Sequence, residues 1–275
     1  MLASVPFALF LAPLVLAQSS ANTALDIQII QAEFSGAGLV PSLLSTFAPS
    51  AVLNLSFSGV GHVAPGQNLT KDQVAPTPQL SVTPANATVT LTGNFTVVMA
   101  DADIAGTDET KGQTRHWLVN DVSLTGSSVP LSVSVESGLA VTQYAGPAPA
   151  SGSGPHRYVV LLLPQGPDFR PPQNLSTANV PVSVFNLADY ISGSHLGSPI
   201  AGTYFTVEEG TATVTPSATS PVNTAMFSST GASSTADSHT QNQPSGSPTP
   251  NSAQIVKFAW MPLAIFVIAL GFFVL

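Results

Sequence analysis

Short apolar runs, separated by turn-forming residues, dominate the chain between about residue 50 and residue 208. The runs are rich in Val, Thr, Leu and Phe, and clusters of Gly, Pro, Asn and Ser divide them. This pattern is typical of strands that pack into a sandwich of sheets. The best helical candidate is a short turn at 185–191, so the predicted fold is mostly β, a β-sandwich of antiparallel-rich sheets with few short helices. The predicted strands are 51–57, 88–91, 94–100, 116–122, 158–163 and 202–208.

The period of two along one of these strands places a carboxylate. Phe95, Val97 and Met99 share one face, and Asp101 continues that row where the strand ends. We therefore expect the Asp101 side chain at the rim of the core, in a partly dry position. Ionisation is costly there unless hydrogen-bond donors surround the carboxylate.

The amino terminus carries an apolar stretch, residues 5–16, that ends in small residues at Val15 and Ala17. This favours a signal peptide at 1–17 that is cleaved after Ala17, although the usual basic start is missing. A membrane-spanning helix is the less favoured interpretation, because the apolar run is short for a bilayer. The sequence thus predicts secretion.

The carboxy terminus divides into a polar segment and an apolar tail. Residues 211–252 are dominated by Ser, Thr, Pro, Ala and Asn, which predicts a disordered stalk that carries O-glycans. Residues 253–275 form a hydrophobic tail without basic residues after it, typical of a glycosylphosphatidylinositol (GPI) signal. Ser245 is the preferred attachment residue, and a retained transmembrane helix is the alternative. We expect the protein on the outer face of the plasma membrane or in the cell wall.

Composition narrows the function further. The chain has no cysteine, so its stability must come from the core of a domain at residues 18–210. The formal net charge is -8, with only six Lys and Arg residues. Such a chain lacks the basic surface that nucleic-acid binding requires, and the same charge disfavours electrostatic docking on an anionic membrane.

Five glycosylation sequons agree with a secretory route. In strand 51–57 the apolar residues alternate with Asn54 and Ser56, which puts this asparagine on the solvent face. A glycan is sterically possible there. The predicted N-glycosylation sites are Asn54, Asn68, Asn86, Asn94 and Asn174.

A loop containing Gly152 and Gly154 delivers three polar side chains to the start of an apolar strand. His156, Arg157 and Tyr158 can each donate hydrogen bonds to a phosphate. Glycine gives such a loop the backbone freedom to shape itself around a ligand. The segment is therefore a candidate anion pocket.

Four segments of the chain together resemble the phosphatidylethanolamine-binding protein (PEBP) family. They occur in the family's order and roughly its spacing, and the resemblance covers residues 25–209. It implies a PEBP-like fold and a ligand pocket. One departure is visible, because the family usually has Asp-Pro-Asp-Ala-Pro where this chain has Asp-Ala-Asp-Ile-Ala, so two stiffening prolines are absent. The segments are Asp101-x-Asp103, His116-Trp117-Leu118-Val119, Gly152-Ser153-Gly154-Pro155-His156-Arg157-Tyr158 and Leu196-Gly197-Ser198-Pro199-Ile200-Ala201-Gly202-Thr203.

The resemblance implies that Asp101, His116 and Tyr158 converge on one small cavity. We expect Asp101 to orient His116, while Tyr158 and loop N–H groups complete a cradle for a phosphoryl oxygen. His156 is a further candidate ligand, although a bond to loop backbone explains it equally well. Arg157 and Asp103 are interpreted as structural, as a buried pair or through contacts with loop carbonyls.

Three functions remain open at this point. The leading hypothesis is a non-enzymatic cell-surface protein that captures a phosphorylated small molecule or a phospholipid headgroup. The alternative is an inhibitor of a serine protease such as a carboxypeptidase, because some relatives in the family inhibit these enzymes. A third possibility is a surface component with a vestigial pocket.

Enzymatic and metal-dependent functions have little support in the sequence. It contains no Gly-x-Ser-x-Gly, His-Glu-x-x-His or phosphate-binding glycine loop, and no cofactor is expected. A metal site from Asp101, Asp103, His116 and His156 is conceivable but less favoured than ligand binding. Trp117 is interpreted as a core residue.

Overall fold

The computed structural model of the protein describes residues 12–224 and 227. In these residues the chain forms eleven β-strands and two α-helices. The helices are α1 (Ala12–Gly36) and α2 (Leu187–Gly193). The strands are β1 (Ala51–Phe57), β2 (Gly61–His62), β3 (Gln67–Leu69), β4 (Gln79–Pro84), β5 (Phe95–Asp101), β6 (Gln113–Thr125), β7 (Leu131–Ser134), β8 (Leu139–Thr142), β9 (His156–Pro164), β10 (Ser183–Phe185) and β11 (Ala201–Val207).

The strands form one curled sheet with two halves, joined by the long strand β6. Its order is β2-β1-β4-β7-β6-β5-β9-β11-β3, and β8 and β10 also pair with β6. All pairings in the described chain are antiparallel except that of β11 with β3. The mostly β, antiparallel-rich architecture predicted from the sequence is confirmed.

Two clusters of buried apolar residues form the core of the fold. The inter-sheet core lies between the two halves of the sheet and includes Leu55, Val97 and Phe205. The helix-side core lies on the other face of the β5–β9 region, where Val98 and Leu161 pack with residues of α1 and α2. Strands β5 and β9 are therefore buried on both faces, which explains their continuous apolar runs.

Several predicted elements agree with the structure and one is wrong. Strand β1 has the predicted bounds, and β5, β6, β9 and β11 contain or closely overlap their predicted segments. The strand predicted at 88–91 is absent, because Asn86 closes a turn: its Oδ1 accepts hydrogen bonds from Thr88 N at 2.9 Å and Thr88 Oγ1 at 2.6 Å. The helical turn predicted at 185–191 is α2, one or two residues further along.

The long helix α1 was not predicted. From Asn22 onward its side chains are described, and Ile27, Ile30 and Phe34 are buried at helical spacing against the sheet. Among the described residues, no helix combines the length and hydropathy that a membrane span needs.

Some sequence predictions lie outside the described residues. These are residues 1–11 of the predicted signal peptide, the stalk beyond 224 apart from residue 227, Ser245 and the tail 253–275.

Candidate functional site

The ends of β5 and β9 place an acid beside a phenol. Asp101 is the last residue of β5 and lies directly opposite Tyr158 in the antiparallel register with β9. Phe95, Val97 and Met99 all belong to the inter-sheet core, so the predicted row along β5 is confirmed. Asp101 ends that row at the rim, with a side chain 11% exposed.

A β-bulge in β6 brings a histidine to the same place. Met99 pairs with Trp117 and Ala100 pairs with Arg115, so His116 is an extra residue without a partner on β5. Its ring contacts Tyr158 edge-on, with centroids 5.3 Å apart. Trp117 is 2% exposed within the inter-sheet core, as predicted. The bulge therefore places His116 against the ring of Tyr158.

His156, rather than His116, pairs with the carboxylate. Its Nδ1 lies 2.9 Å and 3.2 Å from the two carboxylate oxygens of Asp101. Its Nε2 lies 2.9 Å from Ser153 Oγ and 3.3 Å from Asp103 Oδ1. The expected orientation of His116 by Asp101 is thus replaced by a bond from His116 Nδ1 to the carbonyl of Ala145 at 2.9 Å.

Burial opposes the charged form of His156, but the hydrogen bond and negative charge of Asp101 outweigh it and raise the pKa of His156. A raised histidine pKa means that the folded state holds a proton which the unfolded state releases. The resulting stabilisation is present below about pH 6.5, the pKa of an unfolded histidine, and is lost as pH rises through the raised value.

Replacing Asp101 with asparagine removes the charge that favours the His156 cation. We expect the pKa of His156 in Asp101→Asn to fall below that of the wild type, which histidine C–H resonances in an NMR pH titration measure directly. Asp72→Asn, at an exposed position, is the matched control and should leave the pKa of His156 unchanged. An unchanged His156 titration in Asp101→Asn would contradict the assigned pair.

Tyr158 is the most deeply placed member of the group. It is fully buried, and its ring contacts His116, His156 and Phe205. Burial, together with the negative charge of Asp101, raises the pKa of Tyr158, so its hydroxyl stays protonated. In the described part of the chain that hydroxyl forms no hydrogen bond of ordinary geometry, although the Asp101 carboxylate lies near enough to help raise its pKa. We call Asp101, His116, His156 and Tyr158 the Asp-His-Tyr site.

Arg157, on the opposite face of β9 from Tyr158, fixes the loop that follows β5. Its guanidinium donates to the carbonyls of Ala102, Asp103 and Ile104, and Nη1 donates to the carbonyl of Ala37 at 2.9 Å. Asp103 has a positive φ of 54°, a conformation that this bonding stabilises. Arg157 thus restrains the loop from which the two family prolines are absent.

The buried acid beside Arg157 is Glu109, not Asp103. Arg157 Nη2 lies 3.1 Å from Glu109 Oε1, and both side chains are 4% exposed. Burial raises the pKa of Glu109, although Gln113 and Arg157 both act in the opposite direction. Two roles were open for Arg157, a buried pair with Asp103 or contacts with loop carbonyls. The structure shows the carbonyl contacts, and Arg157 forms its ion pair with Glu109 instead of Asp103.

The segment after β11 crosses the loops of the site. Thr213 N donates to Gly152 O at 2.9 Å, Ser217 N to Ala105 O at 2.7 Å, and Ser220 N to Gly36 O at 2.9 Å. We call residues 211–220 the terminal strap. The first ten residues of the predicted stalk are therefore bonded along the domain.

Sequence reasoning missed two residues of this arrangement. Ser153 lies three residues before His156 in the glycine loop, and that spacing was a usable signal. Glu109 stands among the polar residues Asp108, Thr110 and Lys111, so nothing in the sequence marked it as buried. Within the described ranges, no three side chains of His, Cys, Asp or Glu are grouped to hold a metal ion.

Comparison with known proteins identifies the family. A profile of the phosphatidylethanolamine-binding protein family matches residues 58–205. The chain belongs to this family. The PEBP match contains Asp101, His116, His156 and Tyr158, so the whole Asp-His-Tyr site lies within the family region.

Individual PEBP relatives are distant. CEN-like protein 1 of Nicotiana tabacum is 28% identical over 177 residues, which are 64% of this chain and 91% of the relative. Carboxypeptidase Y inhibitor of Saccharomyces cerevisiae is 31% identical over 143 residues, 44% of this chain and 65% of the relative. A crystal structure of carboxypeptidase Y inhibitor complexed with its cognate proteinase shares the fold, with a TM-score of 0.53 and 22% identity over 70% of this chain and 96% of that chain.

Proposed function

We propose that this PEBP protein is a non-enzymatic binding protein that captures a phosphoryl group, on a small molecule or a phospholipid headgroup, at the Asp-His-Tyr site. The observation that carries the proposal is the buried hydroxyl of Tyr158, which lacks a partner in the described residues. A buried donor without an acceptor costs about 1–3 kcal/mol, and a ligand oxygen would supply the missing acceptor.

The free donors of the site define how it would hold a ligand. Both ring nitrogens of His156 are occupied by Asp101, Asp103 and Ser153, so His156 is a supporting residue. His116 uses Nδ1 toward Ala145, and its Nε2 has no partner among the described residues. Nε2 donates only when the ring is protonated.

Replacing Tyr158 with phenylalanine removes one hydroxyl and keeps the ring. We expect the affinity for phosphoethanolamine, measured by titration calorimetry, to fall about tenfold, which is about 1.4 kcal/mol. The stability of the variant should be unchanged or slightly higher, because the lost hydroxyl has no partner in the described residues. His116→Ala and Asp101→Ala should also weaken binding.

Tyr190→Phe is the matched control, because Tyr190 is also buried but its hydroxyl donates to Asn120 Oδ1 at 2.9 Å, in the helix-side core. This variant should lose about 1 kcal/mol of stability and keep the wild-type affinity at the Asp-His-Tyr site. Equal affinities in wild type, Tyr158→Phe and His116→Ala would show that the assigned site does not bind the ligand.

Inhibition of a serine carboxypeptidase is the second candidate function. It is favoured by the fold similarity to carboxypeptidase Y inhibitor, which spans 96% of that chain. The same variants separate the two functions in an assay of carboxypeptidase activity. Inhibition that survives in Tyr158→Phe and His116→Ala would assign it to another surface, and no inhibition by the wild type would exclude it.

We also propose that the protein is secreted and held at the cell surface by a GPI anchor. Four of the sequon asparagines are exposed in the fold, and Asn54 is half-buried. The exposure of these four asparagines supports glycan attachment at Asn68, Asn86, Asn94 and Asn174. Release from intact cells by phosphatidylinositol-specific phospholipase C tests the anchor, and retention of the protein after that treatment would contradict it.

A further inference from the structure

Strand β6 carries Arg115, which is buried like Arg157. Arg115 precedes His116 in the chain, but its side chain lies on the other face of the sheet. Arg115 pairs with Ala100, whose side chain lies in the helix-side core, and Arg115 itself is 1% exposed. Its Nε donates to Thr142 Oγ1 at 2.7 Å. Its Nη2 donates to the carbonyl of Pro181 at 2.9 Å and to Ser183 Oγ at 3.2 Å.

The two buried arginines differ in their counter-charges. Arg157 has Glu109 at 3.1 Å, whereas the described chain places no carboxylate within ion-pair distance of Arg115. The guanidinium of Arg115 lies 5.5 Å from the centre of the Phe185 ring, which attracts a cation only weakly. A guanidinium stays charged in proteins, so Arg115 is a buried cation without a compensating anion.

Arg115 lines a cavity of about 450 Å³ beneath β10 and α2. Ser183, Phe185, Asn186 and Tyr190 line the same cavity. Ser183 is exposed, so the cavity opens to solvent on its side. The space is larger than an inorganic ion needs and is accessible without rearrangement of the fold.

Three hydrogen-bond donors at this cavity have no acceptor among the described residues. Nη1 of Arg115 carries no bond within the described residues. Ser183 Oγ accepts from Arg115 Nη2, which leaves its own hydrogen free to donate. Asn186 Oδ1 accepts from Asp189 N at 3.0 Å, while its Nδ2 has no acceptor among the described residues. Arg115, Ser183 and Asn186 thus each bring to the lining of the cavity a donor group for which the described residues supply no acceptor.

We propose that this cavity is a binding site for a small oxyanion, a carboxylate or a phosphate, held by Nη1 of Arg115 with Ser183 and Asn186. One acid, Asp189, also lines the cavity, but it forms no ion pair with Arg115. The oxyanion supplies the charge that Arg115 lacks. The site is separate from the Asp-His-Tyr site, because the two lie on opposite faces of β6.

The test uses Ser183, because removal of Arg115 endangers folding. Ser183→Asp places a carboxylate beside Nη2 of Arg115 and supplies the anion internally, while Ser183→Asn is the neutral control of similar size. Each is made in the Tyr158→Phe background, which weakens the other proposed site. Inorganic phosphate and acetate are titrated separately by calorimetry, and the Arg115 Nε–H resonance is followed by NMR.

We expect at least one of the two anions to bind Tyr158→Phe and to shift the Arg115 resonance. Ser183→Asn keeps a neutral donor at this position and should bind more weakly than Tyr158→Phe alone, whereas Ser183→Asp should bind at least tenfold more weakly than Ser183→Asn and show a higher melting temperature without added anion. Equal anion affinity in the Ser183→Asp and Ser183→Asn proteins would overturn the proposal. A lack of anion binding to Tyr158→Phe would also overturn the proposal. If the anions bind the wild type but not Tyr158→Phe, the binding belongs to the Asp-His-Tyr site alone.

Discussion

Replacing Arg157 with methionine is expected to lower the free energy of unfolding by about 3–5 kcal/mol. The substitution leaves Glu109 buried without its cation, and it leaves the carbonyls of Ala102 and Ala37 without their donor. Each buried acceptor without a partner adds to the loss. Urea denaturation of the purified protein, followed by tryptophan fluorescence, measures the effect.

Two further variants show whether the buried pair itself is responsible. Arg170→Met, at an exposed arginine, should change stability by no more than about 0.5 kcal/mol. The double variant Arg157→Met with Glu109→Gln should lose less than the sum of its single variants, because it no longer buries an unpaired carboxylate. A loss below about 1 kcal/mol in Arg157→Met would show that the guanidinium is dispensable to the loop.

Replacing Phe34 with alanine is expected to cost about 3–5 kcal/mol of stability. Phe34 is fully buried, its ring stacks on Phe47 with centroids 4.1 Å apart, and it meets the edge of Tyr204 at 5.6 Å. These contacts join α1 to the sheet through the helix-side core. Thermal and urea unfolding both measure the loss, and Gln28→Ala at an exposed position of α1 is the control.

The stability of Phe34→Ala also shows how much the part of α1 that would remain after signal-peptide cleavage contributes to the domain. The predicted cleavage after Ala17 falls inside α1, and residues 18–36 of the helix would remain with the domain. A loss below about 1 kcal/mol in Phe34→Ala would mean that this part of α1 contributes little to the folded protein.

The central strands could be predicted because a strand that is buried on both faces has an uninterrupted run of apolar residues in its sequence. This holds for β5 and β9. The short strand β10 left no such signal, since it is only three residues long and mostly exposed, and it pairs with β6 alone. Helix α1 was missed because it overlaps the predicted signal peptide, although Ile27, Ile30 and Phe34 have helical spacing.

The residues that form the site could be predicted better than the hydrogen bonds that they make with one another. The parity of β5 placed Asp101 at the core rim, and the family resemblance brought His116 and Tyr158 to it. The partner of Asp101 depends on a bulge at His116 and on the loop carbonyl of Ala145, and neither leaves a mark in the sequence. Local patterns specify faces of strands, whereas hydrogen-bond partners depend on how distant loops meet.

The terminal strap has a mechanical consequence. It is bonded to Gly152, Ala105 and Gly36. A force applied at the carboxy-terminal end of the strap is therefore carried first by the bond of Ser220 to Gly36 at the end of α1, and then by the loops that follow Asp101 and precede His156, before it reaches the sheet. If the protein is tethered through that end, tension on the tether loads the same loops that shape the Asp-His-Tyr site.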